Sequence, residues 1–274
     1  MKLSIITINY NNLNGLQKTI DSVVNQTWHD FEWIIIDGGS TDGSKELIEK
    51  YQEHFTYWCS EPDNGIYNAM NKGIAKAQGD YLNFMNSGDG FYSPNTLEQV
   101  FSIGRSDDIL YGDMICKYQD GSYHSWSYPH KLSLHYLIVG YLGHAASFIK
   151  SPLLKDNGYC EDYKIVSDWQ KFLEWFKQGK SFFHTGIVIA SFDTPGTSAD
   201  TVLCNQERQK VCDDLFGIQN RSLIEESIQI QHLLDRMNHD TILNAIDNIR
   251  KHGGKRVALL YRFINVLNKT IKNS

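Results

Sequence analysis

The chain has 274 residues, 41% of them hydrophobic and 12% aromatic, enough to bury the core of one large domain with an appendage. Its net charge of −6 provides no basic field for neutralising phosphates, so we expect no nucleic-acid partner. No run approaches the roughly 20 apolar residues of a membrane-spanning helix, and the first residues form no signal-peptide pattern. These features favour a cytoplasmic protein.

Four apolar runs alternate with helical patterns in the first third of the chain. The sequence predicts helices over about 16–24, 45–51 and 67–77, and strands over Leu3–Ile8, Phe31–Ile36, Phe55–Ser60 and Tyr81–Met85. Strands that alternate with helices at this spacing imply right-handed crossovers and a parallel sheet. The predicted fold class is therefore α/β, with a Rossmann-like, mostly parallel sheet flanked by helices.

Polar clusters follow three of the predicted strands, at Asn9–Asn12, Asp37–Asp42 and Asn86–Asp89. Because ligands bind at the carboxyl ends of strands in such sheets, the clusters predict one binding edge. Ser40, Thr41 and Asp42 are preferred N-cap residues, and we interpret them as caps of the next helix. Asp37 precedes the turn, which favours a hydrogen bond to a planar ligand such as a base.

The glycines after the second strand match neither of the two commonest nucleotide motifs. Gly38, Gly39 and Gly43 lack the G-x-G-x-x-G spacing, and no Gly-Lys-Ser/Thr follows a glycine-rich turn. The loops therefore suggest a nucleotide site of another kind.

Five segments, taken in order, resemble glycosyltransferase family 2, the inverting, nucleotide-sugar-dependent enzymes with the GT-A fold. They span about residues 1–198 and read SIITINYNN, IIIDGGSTDGS, SEPDNGIYNAMNKGIAKAQGDYLNFMNSGD, GHAASF and VSDWQKF. The third is most similar to the branch that builds bacterial exopolysaccharides, capsules and O-antigen-like glycans. The resemblance implies transfer of a hexose from a nucleotide-sugar, in the first instance a UDP-sugar, to a glycan or lipid-linked oligosaccharide acceptor.

The resemblance also implies roles for the matching residues. The donor would be held by Thr7, Asn9 and Asp37 at the nucleoside, with Asp37 on the base, and by Gly65, Asn71 and Lys72 at the diphosphate and sugar. The metal motif falls on Asn86, Ser87, Gly88 and Asp89. In it Asp89 would hold a divalent metal, Mg²⁺ or Mn²⁺, against the diphosphate. Asp168 would be the catalytic base.

One departure concerns Asn86, which stands where the family has the first acid of its metal motif. An amide carries no charge, so the metal would depend on Asp89 with phosphates and waters, a set that Mg²⁺ or Mn²⁺ accepts. A weakened metal motif also suits the alternative function, a catalytically silent relative that binds a nucleotide or glycan. A nucleotidyltransferase ranks last, because Asn9–Gly15 contains no cation.

Several residues keep two interpretations. Asp168 precedes an amphipathic helix and could be its N-cap instead of a base, and His144 could contact the acceptor or be a structural hydrogen-bonding group. The loop Ser191–Asp200 could be a flap over the donor or a connector. Four aromatic residues could stack on sugars or pack in the core: Trp126, Tyr128, Tyr136 and Tyr141.

The end of the chain is helical in pattern. We predict a catalytic domain over 1–204, with a donor half over about 1–90 and an acceptor half over about 91–204, and a helical extension over 205–274. Residues 251–274 contain basic residues and no acid, interleaved with apolar ones. This pattern predicts a helix that lies on an anionic membrane, at the inner face of the plasma membrane, or packs on the body or a second subunit as in a homodimer.

Overall fold

The computed structural model describes residues 2–118, 122–193 and 200–236. In this part of the chain, one sheet contains β1 Leu3–Asn9, β2 Phe31–Asp37, β3 Tyr57–Ser60, β4 Tyr81–Phe84, β5 Asp89–Phe91, β6 Ile109–Lys117, β7 Tyr123–Trp126, β8 Ser147–Lys150 and β9 Phe182–Asp193. The helices are α1 Leu13–Val24, α2 Ser44–Lys50, α3 Ile66–Lys76, α4 Thr96–Ser102, α5 Leu134–Val139, α6 Pro152–Lys155, α7 Ser167–Lys177, α8 Thr201–Phe216 and α9 Arg221–Arg236.

The first four strands form the predicted parallel sheet. β1 lies between β2 and β4, β3 adds to the outer edge of β2, and all these pairs are parallel. The register aligns Asn9 with Asp37 and Asp37 with Ser60, so the carboxyl ends of β1, β2 and β3 form one row. The α/β fold class and the parallel order of these strands are confirmed.

The rest of the sheet is mixed. β8 runs antiparallel to β4, and β6 is antiparallel to β8 but parallel to β9. Short β5, directly after the metal-motif segment, pairs antiparallel with the end of β9. The sheet therefore brings the segment around Asp89 next to the acceptor half.

Helices cover both faces of the first strands, and the burial of β1 reflects this. Every residue of β1 is buried, as expected for a strand in a sheet covered on two sides. α1 contributes Leu16, Ile20 and Val23 from one face. On the α3 side, a Cβ on Gly73 would lie 2.5 Å from Ile6 Cγ2, so glycine permits the close contact between α3 and β1.

The chain divides into two compact units, the first ending at Gly217 and the second beginning at Ile218. α8 belongs to the first unit, whereas the sequence predicted an extension beginning at residue 205. Among the described residues, no helix combines the length and apolar content needed to cross a bilayer. The predicted membrane-surface helix, 251–274, lies outside the described residues.

The predicted flap over Ser191–Asp200 is partly replaced by regular structure. β9 continues through Asp193, and the side chain of Asp200 caps α8 by accepting from Leu203 N at 3.0 Å. Residues 194–199 lie outside the described residues.

Candidate active site

The carboxylate of Asp37 connects the carboxyl ends of β1, β2 and β3. This side chain is completely buried and accepts hydrogen bonds from Asn9 Nδ2 at 2.8 Å and from the hydroxyls of Ser40 and Ser60, each at 2.6 Å. Ser40 N donates to it as well, at 2.9 Å. Burial by itself raises the pKa of Asp37, but these hydrogen bonds outweigh it and the pKa lies below its usual value.

Two predictions change as a result. Both Asp37 oxygens are occupied by protein donors, so in this structure Asp37 orders the loop and does not present an open acceptor to a base. Ser40 is not a helix cap, because its hydroxyl bonds Asp37 and accepts from Asn11 N. Asp42 is not an N-cap either, because Asn12 holds that position in α1 and Gly43 in α2. Its carboxylate nevertheless accepts from the first N–H of each helix, Leu13 N at 2.8 Å and Ser44 N at 3.1 Å.

Thr7 is also a structural residue here. It is fully buried, its hydroxyl donates to Met85 O at 2.7 Å, and it accepts from Trp33 Nε1 at 3.0 Å. The prediction of a nucleoside contact by Thr7 is therefore not supported by its position, because β1 is covered at this point.

The loop Asn86–Asp89 is held by Thr19 of α1. The Thr19 hydroxyl lies 3.1 Å from Asn86 O and 2.6 Å from Asp89 O, and it accepts from Gly88 N at 3.1 Å. Asn12 reaches the same loop, with Nδ2 at 3.1 Å from Ser87 O. Three loops that the sequence predicted at one edge are thus connected. Thr19 was missed because it lies within the apolar face of α1 and reads as a core residue.

The loop Asn86–Asp89 offers few groups that could bind a metal ion. Within the described residues, no three His, Cys, Asp or Glu side chains form a group that could hold a metal ion. Asn86 Oδ1 is buried and has no hydrogen-bond donor in that part of the chain. An unpartnered amide oxygen and the carboxylate of Asp89 in one four-residue loop fit a hard cation whose remaining ligands come from phosphate and water.

The segment that leads into α3 connects the Asp37 loop to the start of that helix. A Cβ on Gly38 would lie 2.6 Å from Asp63 Oδ2 and 3.1 Å from the ring of Tyr10, so these side chains cover Gly38. Asp63 also accepts from Gly65 N at 2.9 Å, and Gly65 has a φ of +114°, which favours glycine. Tyr10 is 67% exposed at the end of β1. Tyr10 was not among the predicted site residues, although it directly follows Asn9 in the sequence.

Two predicted pocket residues on α3 are engaged with protein groups. Lys72 Nζ lies 2.8 Å from Glu61 Oε1 and 3.2 Å from Pro62 O. Asn71 Nδ2 donates to Glu161 at 2.8 Å and also contacts the backbone of Tyr159. Asn71 therefore holds the loop before α7, and Lys72 holds the loop before α3.

Asp168 is the second residue of α7, and it does not cap that helix, whose N-cap is Val166. Its Oδ1 accepts from Tyr67 OH at 2.7 Å, and Oδ2 lies 3.9 Å from His144 Nδ1. The N-cap interpretation is wrong, since Val166 holds that position. The Asp168 carboxylate bonds Tyr67 instead and stays 24% exposed. An accessible carboxylate held by a buried phenol can accept a proton from a ligand.

His144 supports this carboxylate from the core. Its Nε2 lies 2.8 Å from Tyr159 OH, and its ring stacks on Phe84 at 4.6 Å. Burial lowers the pKa of His144, although the charge of Asp168 acts in the opposite direction. Phe84 is two residues before Asn86, so the Asp168 cluster is linked by contact to the loop of the metal motif. Direct acceptor contact by His144 stays a prediction.

The predicted sugar-stacking aromatics lie largely in packing contacts. Tyr128 is 5% exposed, and Trp126 packs against Tyr141 with ring centroids 5.3 Å apart. Tyr141 keeps 37% of its surface exposed. Packing is thus the main role of Tyr128, and Tyr141 retains a free surface.

Comparison with solved structures identifies the class of fold. Residues of this chain superpose on S. aureus TarS (residues 1–349) in complex with UDP-GlcNAc with a TM-score of 0.62 and 17% identity, covering 95% of this chain and 84% of that one. The mannosyltransferase PcManGT from Pyrobaculum calidifontis, in complex with GDP-Man and Mn²⁺, gives a TM-score of 0.62 at 14% identity over 97% and 80% of the two chains. The fold is that of the GT-A glycosyltransferases.

The sequence comparisons are more specific. The model of the family described as Glycosyl transferase family 2 matches residues 4–152, more than half of the chain, and the chain belongs to this family of glycosyltransferases. It is 35% identical over 213 residues to an uncharacterized glycosyltransferase of Mycobacterium tuberculosis, covering 72% of this chain and 77% of the relative. It is also similar to a PGL/p-HBAD biosynthesis glycosyltransferase of Mycobacterium bovis, at 29% identity over 73% and 80% of the two chains.

Proposed function

We propose that this enzyme transfers a sugar from a nucleotide-sugar to a hydroxyl of a glycan or lipid-linked acceptor, with inversion at the anomeric carbon. One observation carries the proposal. The segment from Asp63 to Tyr67 contacts the Asp37 loop at one end and Asp168 at the other. One short piece of chain therefore contacts both the loop proposed for the nucleoside and the proposed base.

The nucleoside lies against the ends of β1 and β2. The exposed ring of Tyr10, beside Gly38, offers a face on which a base can stack. Asn9 adds a second feature, because its Oδ1 is buried without a donor among the described residues. TarS binds UDP-GlcNAc and PcManGT binds GDP-Man, so both bases are candidates, with a UDP-sugar as our first choice.

The diphosphate lies near the loop Asn86–Asp89. A Mg²⁺ or Mn²⁺ ion would be held by Asp89 and the amide oxygen of Asn86, and when bound it would supply positive charge to the leaving diphosphate. PcManGT was solved with Mn²⁺, which supports a metal of this type. Gly65 is the N-cap of α3, and backbone N–H groups at a helix start favour an anion.

Asp168 acts as general base. The acceptor oxygen forms a bond to the anomeric carbon while the bond from that carbon to the diphosphate oxygen breaks with its electron pair. The proton of the acceptor hydroxyl passes to the Asp168 carboxylate. Attack from the face opposite the leaving group inverts the anomeric centre.

The acceptor belongs to bacterial surface glycan or glycolipid synthesis. The name of the M. bovis relative places that protein in PGL/p-HBAD biosynthesis, which supports a lipid-linked acceptor for this chain. Binding of residues 251–274 to the inner face of the plasma membrane suits such an acceptor.

Asn86 also favours a second candidate, a catalytically silent protein that binds a nucleotide or glycan. The glycosyltransferase and the silent protein differ in whether they release nucleotide from a donor. UDP-GlcNAc, UDP-glucose and GDP-mannose should be screened with MnCl₂ by thermal shift and then by release of free nucleotide. We expect one donor to raise the melting temperature and to be hydrolysed by the wild type but not by Asp168→Ala. Stabilisation without nucleotide release from any donor would support the silent protein instead.

A further inference from the structure

The hydroxyl of Tyr67 contacts the Asp168 carboxylate and two backbone groups that precede it in the chain. Tyr67 is the second residue of α3 and is 3% exposed. Its oxygen lies 2.7 Å from Asp168 Oδ1 and 2.6 Å from Ile165 O, and it accepts from Ser167 N at 2.9 Å. A single phenol therefore ties the donor-side helix α3 to the loop before α7 and to the carboxylate itself.

Other groups near Asp168 do not replace this contact. In the described ranges, Tyr67 is the one side chain that hydrogen-bonds the carboxylate, since His144 Nδ1 is 3.9 Å away. The negative charge of Asp168 also acts to raise the pKa of Tyr159, in the loop before α7, and of Cys204 and Arg208 on α8. Among the described residues, only Tyr67 fixes the direction of the carboxylate by a hydrogen bond.

The phenol stays protonated and able to donate across the neutral range. Burial raises the pKa of Tyr67 well above its usual value, and the negative charge of Asp168 raises it further. A neutral phenol has one proton, which Ile165 O and Asp168 Oδ1 share. A carboxylate oxygen is a stronger acceptor than a backbone carbonyl oxygen, so the shared proton is directed toward Asp168 Oδ1.

We propose that Tyr67 is a positioning residue that holds the Asp168 carboxylate toward the acceptor hydroxyl and couples it to α3, at the donor side of the site. This rests on the proposed function, in which Asp168 is the base. Tyr67 itself touches no substrate, and its effect passes through Asp168. Loss of the phenol should leave donor binding intact and slow the chemical step.

The test compares four variants with the wild type: Tyr67→Phe, Asp168→Asn, the double variant and the control Tyr81→Phe. The control removes an equally buried phenol bond, from Tyr81 OH to Asp107 O at 2.7 Å, which does not contact Asp168. Release of nucleotide from UDP-GlcNAc and from GDP-mannose with MnCl₂ gives kcat and KM. Urea unfolding gives the stability of each variant.

We expect Tyr67→Phe to lower kcat by about 10- to 100-fold with donor KM changed less than about twofold, as for the loss of a hydrogen bond to a charged group. Tyr81→Phe should keep the wild-type kcat, and adding Tyr67→Phe to Asp168→Asn should cause little further loss. Wild-type kcat in Tyr67→Phe with an inactive Asp168→Asn would overturn the positioning role alone. Wild-type kcat in Asp168→Asn would overturn the proposed base.

If neither donor is turned over, the urea unfolding data test whether Tyr67 and Asp168 are coupled. Coupled residues give a double variant whose midpoint shift is smaller than the sum of the single shifts. We expect this result for Tyr67 and Asp168. Additive shifts would show that the two side chains act independently and would overturn the proposal.

Discussion

The side chain of Asn71 forms two hydrogen bonds with the backbone of Tyr159, accepting from its N–H at 2.8 Å and donating to its carbonyl at 2.9 Å. The Asn71 side chain therefore satisfies both the N–H and the carbonyl of Tyr159, as a paired β-strand does. Tyr159 in turn contacts His144, which lies behind Asp168. A residue expected in the sugar pocket instead fixes the loop that precedes the base.

Replacing Asn71 should therefore destabilise the fold. In Asn71→Ala, two backbone groups of Tyr159 and one oxygen of Glu161 lose their partner, which should cost about 1–3 kcal/mol in the free energy of unfolding. Urea denaturation measures this cost. Asn25→Ala is the control, because Asn25 is exposed and its side chain donates to Asp21 O, one turn earlier in α1, at 2.7 Å. Equal losses in the two variants would contradict the role given to Asn71.

The Asp37 cluster predicts a pH dependence of stability. The pKa of Asp37 lies below its ordinary 3.8, because hydrogen bonds from Ser40, Ser60 and Asn9 outweigh burial. A lowered folded-state pKa adds stability above the unfolded value, and that contribution is lost as the pH falls through the folded pKa. Asp37→Asn should therefore be less stable than the wild type at pH 7, with a gap that narrows below about pH 4.

Urea midpoints at pH 7 and at pH 3 test this prediction. Asp42 and Glu161 also have a lowered pKa, Asp42 through hydrogen bonds from Ser44 and Leu13 that outweigh burial, and Glu161 through Asn71 and Asn68. Asp42 and Glu161 are present in both the wild type and Asp37→Asn, so their contribution to the pH dependence of stability cancels when the two are compared. If the difference in urea midpoint between the wild type and Asp37→Asn were the same at both pH values, the protonation of Asp37 would not contribute to stability. That result would contradict the prediction.

Asn86 gives a prediction for the metal. Asn86→Asp would add a second carboxylate to the loop of Asp89, and each added anionic ligand strengthens binding of a hard cation. The Mn²⁺ concentration for half-maximal nucleotide release should fall by about tenfold or more. Asp89→Asn should raise it. An unchanged Mn²⁺ requirement in both variants would contradict a metal site in this loop.

Glu207 of α8 gives a prediction for the loop before α7. Its carboxylate accepts from Lys164 N at 2.7 Å and from Ile165 N at 2.9 Å, just before Asp168. Glu207→Gln replaces one acceptor oxygen by an NH₂ group that cannot accept, so the loop should loosen. We expect kcat to fall by about tenfold with donor KM unchanged. Glu225→Gln, at an exposed position of α9, should behave as the wild type.

Much of the donor half could be predicted from the sequence. Continuous apolar runs and the polar residues that end them located β1, β2 and β4, with boundaries that differ by one residue at most. The order of carboxylates and amides after these strands also predicted that Asn9 and Asp37 would meet. Local patterns suffice there because each of these strands is a continuous buried run that ends at once in polar residues.

The acceptor half and the details of the site depend on contacts distant in sequence. The antiparallel β5 is three residues long and pairs with β9, about a hundred residues later, so no local pattern indicates it. Tyr67 and Asp168 are likewise joined only by the fold. Thr7, Asn71 and Lys72 match family positions, but their hydrogen bonds to protein groups could not be read from residue type.

The stereochemistry of donor hydrolysis tests the central claim most directly. With the turned-over UDP-sugar, whose sugar is α-linked, ¹H NMR in the first minutes distinguishes the anomer released by the enzyme before mutarotation. A single displacement assisted by Asp168 predicts the β anomer first, and no release by a folded Asp168→Asn. Initial release of the α anomer, or wild-type release by Asp168→Asn, would contradict it.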